Sequence, residues 1–335
     1  MPKIVRFHAL GGPEVLKLDE VDVPLPGTGE VRIRTRALGL NRAEVMFRTG
    51  NYVVDPVFPQ ALGYEASGTV EAVGSDVAAL AVGDAVSVVP AFAMTDYALH
   101  GELVLAPAHA VVRHPQQLTW EEAAGVWMPF ITAYGGLVDL AGLIPGDTVV
   151  IPAASSSVGL AAIQIANMIG AKPVALTRTG SKRRQLIDAG AAAVIDTEEE
   201  HVVERLRDIT GGAGVQVIFD PVAGPLLPSL IDAAATGATV IIYGALSTDA
   251  TALPVLAVLG KHITIRGYEL FEVTTDPERL RPAVAFVRDG LESGALKPTL
   301  DKIFEMAHIA DAYRYLETNG QVGKVVVTVP QTATN

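Results

Sequence analysis

A run of small residues near the middle of the chain has the composition of an anion-binding turn. The apolar segment Thr148–Ala153 leads into Ala-Ser-Ser-Ser-Val-Gly at 154–159, where a helical pattern begins. Small residues at a strand–helix turn let the backbone approach a pyrophosphate, and the free N–H groups of the helix start then bind its charge. The full GxGxxG fingerprint is absent, so an N-capped core helix explains the segment about equally well. The candidate contacts are Ser155, Ser156, Ser157 and Val158.

A cationic cluster follows the next apolar segment, Pro173–Thr177. Residues 178–183 read Arg-Thr-Gly-Ser-Lys-Arg and contain no acid where NAD enzymes carry an Asp or Glu for the ribose 2′-hydroxyl. A guanidinium matches phosphate oxygens and a lysine adds a point charge, so the cluster suits a 2′-phosphate and predicts NADPH as the cofactor. The alternative is a solvated, basic start to the next helix. The candidate contacts are Thr177, Arg178, Ser181 and Lys182.

Strand-like and helical runs alternate from about residue 120 to about residue 265. The strand-like runs are near-continuously apolar: Thr148–Ala153, Pro173–Thr177, Ala192–Ile195, Val215–Phe219, Thr239–Tyr243 and Ile263–Gly267. The helical runs between them are Val158–Ile169, Lys182–Ala189, Glu198–Ile209 and Leu226–Ala235, with Gly170 and Gly190 at C-cap positions. Apolar strands joined by helical crossovers predict a doubly wound parallel sheet, and hence an α/β fold.

The first third of the chain predicts a second, mostly antiparallel β domain with a barrel-like form. Residues 31–38 alternate between apolar and arginine positions, which is typical of a half-buried strand. Further short runs are Gly68–Val73, Ala85–Pro90 and Ala110–Arg113, and Thr119 is placed to cap a helix from Trp120. Near the end, Pro277–Asp289 and Ile309–Thr318 are helical in pattern, and the strand-like Val325–Val329 is expected to rejoin this first domain. The predicted domains are 1–122 and 268–335 for the β domain and 123–267 for the parallel one.

The composition argues against several classes of function. The net charge is −12 and Lys182-Arg183-Arg184 is the one tight basic group, so neither nucleic acid nor membrane is expected as a partner. The chain has no cysteine and its seven histidines lack helical ligand spacing, so no metal is expected. The first residues lack a signal-peptide core, and we expect a cytoplasmic protein.

Several short motifs, taken in order, resemble one known family. They are residues 11–16 (Gly-Gly-Pro-Glu-Val-Leu), 37–41 (Ala-Leu-Gly-Leu-Asn), 62–68 (Leu-Gly-Tyr-Glu-Ala-Ser-Gly), 70–74, 82–86, 131–134, 155–159 and 323–326. The chain resembles the zinc-independent medium-chain dehydrogenase/reductases, in the quinone oxidoreductase (zeta-crystallin-like) and enone reductase branch. The resemblance runs nearly end to end and implies a GroES-like β domain and a Rossmann domain.

The resemblance also implies site residues. Where the family's alcohol dehydrogenases hold catalytic zinc, this chain has Asn41 and the pair Tyr64-Glu65. By motif, the cofactor contacts extend to Asn41, Thr132, Gly244, Ala245, Leu246, Ser247, Leu270, Phe271 and Lys324, although Lys324 could equally be a solvent-facing lysine. The candidate catalytic residues are Asn41, Tyr52 and Tyr64, the alternative being that the tyrosines are packing residues. Asp196-Thr197 replaces a tyrosine that relatives often carry, and Asp220 is expected to cap a helix in preference to contacting adenosine.

These features together predict a zinc-free, NADPH-dependent reductase. Hydride would pass to a quinone or an α,β-unsaturated carbonyl, since such small-molecule electrophilic acceptors need no metal activation. The alternatives are a reductase dedicated to a conjugated acid, thioester or aldehyde, and a non-catalytic NADPH-binding sensor or structural protein. A zinc dehydrogenase is opposed by the absent cysteines. The resemblance also implies a homodimer, with 263–267 pairing across a twofold axis.

Overall fold

The computed structural model describes residues 1–331, so the last four residues of the predicted segment 268–335 lie outside the described residues. The chain divides into two compact units. The first, which we call the antiparallel unit, comprises Met1–Met128, Thr274–Pro277 and the described residues from Pro298 onward. The second, which we call the parallel unit, comprises Pro129–Val273 and Glu278–Lys297.

The strands and helices, numbered in chain order, are as follows. The strands are β1 (Lys3–Phe7), β2 (Leu16–Glu20), β3 (Glu30–Gly39), β4 (Gln60–Ala61), β5 (Glu65–Val73), β6 (Ala85–Val88), β7 (Leu103–Pro107), β8 (Val111–Arg113), β9 (Thr148–Ile151), β10 (Lys172–Thr177), β11 (Ala193–Asp196), β12 (Val215–Asp220), β13 (Ala234–Ile242), β14 (Thr264–Gly267), β15 (Leu300–Glu305) and β16 (Lys324–Thr328). The α-helices are α1 (Arg42–Arg48), α2 (Trp120–Ala123), α3 (Trp127–Tyr134), α4 (Ser157–Ile169), α5 (Arg183–Asp188), α6 (Val202–Ile209), α7 (Leu227–Ala233), α8 (Val255–Lys261), α9 (Phe271–Thr274), α10 (Pro277–Ser293) and α11 (Ile309–Glu317). A short π-helix, Gly135–Leu140, continues α3.

The antiparallel unit contains a seven-stranded sheet with the order β15-β16-β3-β5-β6-β8, and β7 also pairs with β3. The central strand β3 shows the predicted alternation, because Val31, Ile33 and Ala37 are fully buried while the arginines between them are not. Strand β16 pairs antiparallel with β3, which confirms that the last strand rejoins the first part of the chain. The predicted cap is also confirmed: Thr119 Oγ1 accepts the N–H of Glu122, and the Glu122 carboxylate accepts the N–H of Thr119.

The parallel unit contains a six-stranded, all-parallel sheet with the order β11-β10-β9-β12-β13-β14. This is the predicted doubly wound arrangement. Its order reverses between β9 and β12, and in such sheets ligands bind outside the carboxyl ends of the strands at the reversal. The helix after β9, α4, runs to Gly170, whose φ of 91° gives the left-handed C-cap that the sequence indicates.

Several element ends differ from the sequence-based prediction. Helix α6 begins at Val202, not at Glu198, because the Asp196 carboxylate accepts the N–H groups of Glu198 and Glu199 and holds them in a turn. Helix α7 ends at Ala233 because β13 already begins at Ala234, well before the predicted Thr239. Among residues 1–331, no helix is both long and apolar enough to cross a bilayer.

Candidate functional site

The serine turn between β9 and α4 combines a helix cap with a close backbone approach. Ser156 is the N-cap residue, and its Oγ accepts the N–H of Gly159 at 3.0 Å. A Cβ on Gly159 would lie 2.6 Å from Ala154 Cα, so only glycine lets the helix start pack this closely on the strand end. Ala153 has a φ of 48°, a left-handed conformation that is strained for a residue with a Cβ. The capping interpretation of Ser156 is therefore confirmed, while Ser155, Ser157 and Val158 lie half-buried beside it.

The cationic cluster lies next to this turn. Lys182 Nζ donates to Ser155 Oγ at 3.1 Å, which joins the two segments that the sequence places 27 residues apart. Thr177 is buried at the end of β10, and Ser181 is exposed in the following turn. The structure thus brings a helix N-terminus, serine hydroxyls and a lysine together at the carboxyl edge of the sheet, where an anion is favoured.

The arginines of this cluster differ in what they bind. Arg183 donates to the Val194 carbonyl at 2.6 Å and pairs with Glu200. The N–H of Asp196, followed by Arg183, lowers the pKa of Glu200 to about 2, so this pairing persists at neutral pH. Arg184 pairs with Asp188 on the surface of α5. Arg178 is exposed and, in the described part of the chain, its side chain has no hydrogen bond or ion pair, which leaves its charge available to a ligand.

The carboxyl ends of β12 and β13 form a second polar region of the same edge. The buried Asp220 carboxylate accepts the N–H groups of Val222 and Ala223 and so closes a turn. The expected helix cap is wrong, because the short helix Gly224–Leu226 and helix α7 begin after Ala223 and Leu226 and have no side-chain cap. Burial raises the pKa of Asp220. The segment Gly244–Ser247 is tied to this turn, since Leu246 N–H donates to the Pro221 carbonyl at 3.0 Å and Ser247 N–H to the Val222 carbonyl at 3.0 Å. Gly244, Ala245, Leu246 and Ser247 thus occupy the edge at which the sequence places them.

Two further candidates of the parallel unit lie in different settings. Thr132 is buried within α3, and Leu270 is buried just before α9, at whose first position Phe271 is half-buried. The buried Tyr268 connects these segments, because its hydroxyl donates to the Ile131 carbonyl at 3.4 Å. Their contact with a cofactor stays a prediction.

Asn41 and Lys324 meet in the interior of the antiparallel unit. Asn41 precedes α1, and its Oδ1 accepts a hydrogen bond from Lys324 Nζ at 2.6 Å. Lys324 is only 2% exposed and also forms an ion pair with the fully buried Glu65. Glu65 in turn accepts the N–H of Met128 at 2.8 Å, and burial raises its pKa while Lys324 opposes the rise. The alternative of a solvent-facing Lys324 is therefore wrong, because its side chain is buried and neutralises a buried carboxylate.

The two candidate tyrosines are neighbours. The Tyr52 and Tyr64 hydroxyls are 3.2 Å apart, with Tyr64 buried and Tyr52 half-buried. Burial, together with Tyr52, raises the pKa of Tyr64, so its hydroxyl stays protonated at neutral pH. The backbone N–H of Tyr64 donates to Glu44, a buried carboxylate that sequence reasoning missed. The signal was present, because Asn41 and Glu44 have the spacing of a capping box.

Across the described residues 1–331, no three His, Cys, Asp or Glu side chains lie close enough together to hold a metal ion. That the protein acts without a metal stays a prediction.

Comparisons with known proteins agree with both units. The model of the alcohol dehydrogenase GroES-like domain matches residues 27–116, and that of the zinc-binding dehydrogenase matches residues 157–289. The human (Homo sapiens) quinone oxidoreductase is 30% identical over 97% of each chain. The structure of Escherichia coli quinone oxidoreductase complexed with NADPH is 28% identical and superposes with a TM-score of 0.87, covering 97% of this chain and 99% of that one. A structure described as an NAD-dependent alcohol dehydrogenase is 31% identical, with a TM-score of 0.89 and coverage of 98% and 100%.

The matches pair a GroES-like domain with a parallel-sheet nucleotide-binding domain. Together they define an oxidoreductase of the medium-chain dehydrogenase/reductase class. Within that class the chain belongs to the quinone oxidoreductase family. The resemblance and the pair of folds inferred from the sequence are confirmed.

Proposed function

We propose that this protein is an NADPH-dependent reductase that transfers hydride, without a metal, to a quinone or an α,β-unsaturated carbonyl. The observation that carries the proposal is Arg178, an exposed cation directly after β10 whose side chain has no hydrogen bond or ion pair among residues 1–331. A 2′-phosphate supplies the oxygens that such a group binds, and the hydroxyl of NADH does not.

The serine turn fits the rest of a dinucleotide. The N-terminus of α4 offers a positive dipole end, and Gly159 permits the close backbone approach that a pyrophosphate needs. The predicted contacts Thr132, Gly244–Ser247, Leu270, Phe271 and Lys324 remain part of this proposal. The complex of the Escherichia coli relative with NADPH supports it.

NADH is the competing cofactor, since one structural relative is described as NAD-dependent. NAD enzymes typically bind the ribose 2′-hydroxyl with a carboxylate at the end of the strand that corresponds to β10. Arg178 follows β10 here, and Asp196, which pairs with Thr177 at the end of β11, accepts two backbone N–H groups on its Oδ1. This arrangement favours the phosphorylated cofactor.

The polar residues of the antiparallel unit supply the chemistry proposed for the acceptor. When bound, NADPH supplies the hydride. Asn41 offers an amide in a fixed orientation, and the protonated Tyr52–Tyr64 pair offers a hydroxyl donor to a carbonyl oxygen. Quinones and enones are already electrophilic, so orientation and one such hydrogen bond suffice in place of a Lewis acid.

Removal of Arg178 tests the cofactor. In a fluorescence titration, Arg178→Ala is expected to weaken NADPH binding about 10- to 100-fold, the loss of one charge-assisted contact, and NADH binding by less than about twofold. The matched control is Arg184→Ala, which removes the same charge from a side chain that pairs with Asp188. Equal losses for both cofactors in Arg178→Ala, or a wild-type protein without preference for NADPH, would contradict the assignment.

The acceptor requires a kinetic test. Stopped-flow oxidation of NADPH against quinones, enones, acrylate-like acids, thioesters and aldehydes separates a general reductase from a dedicated one. A protein that binds NADPH tightly and oxidises it with none of these acceptors is a sensor or structural protein, and the proposal then fails.

We also propose a homodimer formed through the edge of the parallel sheet. Strand β14 is the last strand of that sheet, and the neighbouring α8 has no buried residue and exposes Leu256 and Leu259. Pairing of β14 with a second copy covers an open strand edge and these leucines. Sedimentation at micromolar concentration is expected to show a dimer, and a monomer would contradict the proposal. A cytoplasmic location likewise stays a prediction.

A further inference from the structure

Glu44 is a buried carboxylate on which three elements of the antiparallel unit converge. It is the third residue of α1 and has no solvent exposure. Its Oε2 accepts the N–H of Asn41 at 2.7 Å and the hydroxyl of Tyr313 at 2.8 Å. Its Oε1 accepts the N–H of Tyr64 at 3.0 Å. Each donor is itself buried, where an unmade hydrogen bond is costly, and the Tyr313 hydroxyl also lies 3.3 Å from His100 Nδ1.

We propose that Glu44 is a positioning residue that fixes Asn41 and Tyr64 relative to each other and thereby sets the geometry of hydride transfer. The proposal rests on the function proposed above, because it assumes that Asn41 and the tyrosine pair act on the cofactor and the acceptor. It adds a residue that touches neither of them and acts through both.

A capping role alone does not account for these contacts. Of the Glu44 carboxylate, a capping box requires only that it accept the N–H of Asn41. The additional bond to Tyr64 N–H crosses to the start of β5, where the chain turns tightly at Gly63, whose φ is 119°. A Cβ on Gly63 would lie 2.4 Å from His100 Cδ2, so the turn packs closely against His100. Glu44 therefore ties the start of α1 to a closely packed turn.

The side chains beyond these backbone bonds are oriented as a consequence. The Asn41 amide is held at both ends, since Nδ2 donates to Glu44 Oε1 at 3.3 Å and Oδ1 accepts from Lys324. Rotation of the amide would break both bonds in a buried setting, where unmade hydrogen bonds are costly. The Tyr64 hydroxyl lies 3.2 Å from the Tyr52 hydroxyl, so a shift of Tyr64 changes this contact as well.

Glu44→Gln is the direct test. The amide NH2 group that replaces one carboxylate oxygen cannot accept a hydrogen bond. The donors that face that oxygen in the wild type therefore lose their acceptor. At saturating NADPH and quinone, kcat is expected to fall about 100-fold, the typical consequence of misplacing a reacting group by about 1 Å. NADPH affinity, measured by titration, is expected to change less than about fivefold, because the serine turn and Arg178 are untouched.

The matched control is Tyr313→Phe. It removes one donor to the same carboxylate and leaves the bonds from Asn41 and Tyr64 in place. We expect a reduced melting temperature and a kcat within about twofold of the wild type. If Tyr313→Phe lowers kcat as much as Glu44→Gln at a matched loss of melting temperature, the role of Glu44 is structural only and the proposal is overturned.

A double-variant cycle tests the route of the effect. If Glu44 acts through Asn41, the loss in kcat for Asn41→Ala with Glu44→Gln is smaller than the product of the two single losses. Losses that multiply would overturn the proposal. Where Glu44→Gln does not fold, Glu44→Asp keeps the charge with a shorter reach, and we expect an intermediate loss of kcat that obeys the same cycle. A wild-type protein that binds NADPH but reduces no acceptor would instead overturn the proposed function itself.

Discussion

The candidate residues around the serine turn and those of the antiparallel unit lie in opposite environments. Around the serine turn, Ser155 and Lys182 are half-buried and Arg178 is exposed, although Thr132 and Leu270 elsewhere in the parallel unit are buried. Those of the antiparallel unit are enclosed, with Asn41, Tyr64 and Lys324 buried and hydrogen-bonded to one another or to buried carboxylates.

The difference reflects two physical tasks. A cofactor that exchanges in every turnover needs ligands whose hydrogen-bonding capacity is not already used, and Arg178 meets that condition. A group that orients a reaction must not rearrange, and a fully satisfied buried network resists rearrangement because each broken bond leaves an unpaired group in a low dielectric. We therefore expect substitutions around the serine turn to change affinity and those in the enclosed network to change stability.

The largest effect on stability is expected for Lys324→Met, which leaves Glu65 buried without its counter-charge. The free energy of unfolding in urea should fall by about 3–5 kcal/mol. Lys324 opposes the rise that burial causes in the pKa of Glu65, so without Lys324 this pKa rises further above its unfolded value and the folded state is penalised more as pH rises and Glu65 ionises. The loss in free energy of unfolding caused by Lys324→Met should therefore be larger at mildly alkaline than at mildly acidic pH.

Two controls accompany this measurement. Arg113→Ala breaks an ion pair with Asp84 whose arginine side chain is 56% exposed, and it should cost no more than about 1 kcal/mol. Adding Glu65→Gln to Lys324→Met removes the unpaired charge and should recover part of the lost stability. A loss for Lys324→Met no greater than that for Arg113→Ala would show that the network is not enclosed as described.

The smaller effects come from two adjacent serines of the turn. Ser156→Ala removes the N-cap of α4 and should lower stability by about 1 kcal/mol. Ser155→Ala removes only the hydroxyl that contacts Lys182, so stability should change by less than about 0.5 kcal/mol. NADPH affinity in Ser155→Ala should nevertheless fall about three- to tenfold, the loss of one hydrogen bond. Calorimetry of both variants with and without NADPH measures each quantity, and a reversed order of stability losses would contradict the assignment.

The sequence predicts the parallel unit better than the antiparallel one. Its inner strands β9, β10 and β12 are mostly buried and largely apolar, and the serine turn and the C-cap Gly170 mark helix α4 directly. The sequence predicts too early a start for helix α6, because the hydrogen bonds from Glu198 and Glu199 N–H to Asp196 form only in the folded turn and leave no mark in the helical periodicity.

The enclosed network was only partly predictable. Family motifs identify Asn41, Tyr64 and Lys324. The burial of Lys324, however, depends on its partner Glu65, which is 259 residues away along the chain. Such pairing leaves no periodic signal, since it depends on which strands become neighbours. Glu44 had a local signal in the capping box, while its bond to Tyr64 exists only once β5 lies beside α1.

The position of Lys324 on β16 has a consequence for synthesis on the ribosome. Asn41 and Glu65 emerge early, whereas the strand that carries their cation emerges only after the whole of the parallel sheet has been translated. Until then Glu65 has no counter-charge and β3 lacks its neighbour β16, so the nascent antiparallel unit cannot close its polar centre. The six strands of the parallel sheet emerge consecutively, so that sheet has all its strands before the seven-stranded sheet, which begins first, has its last two.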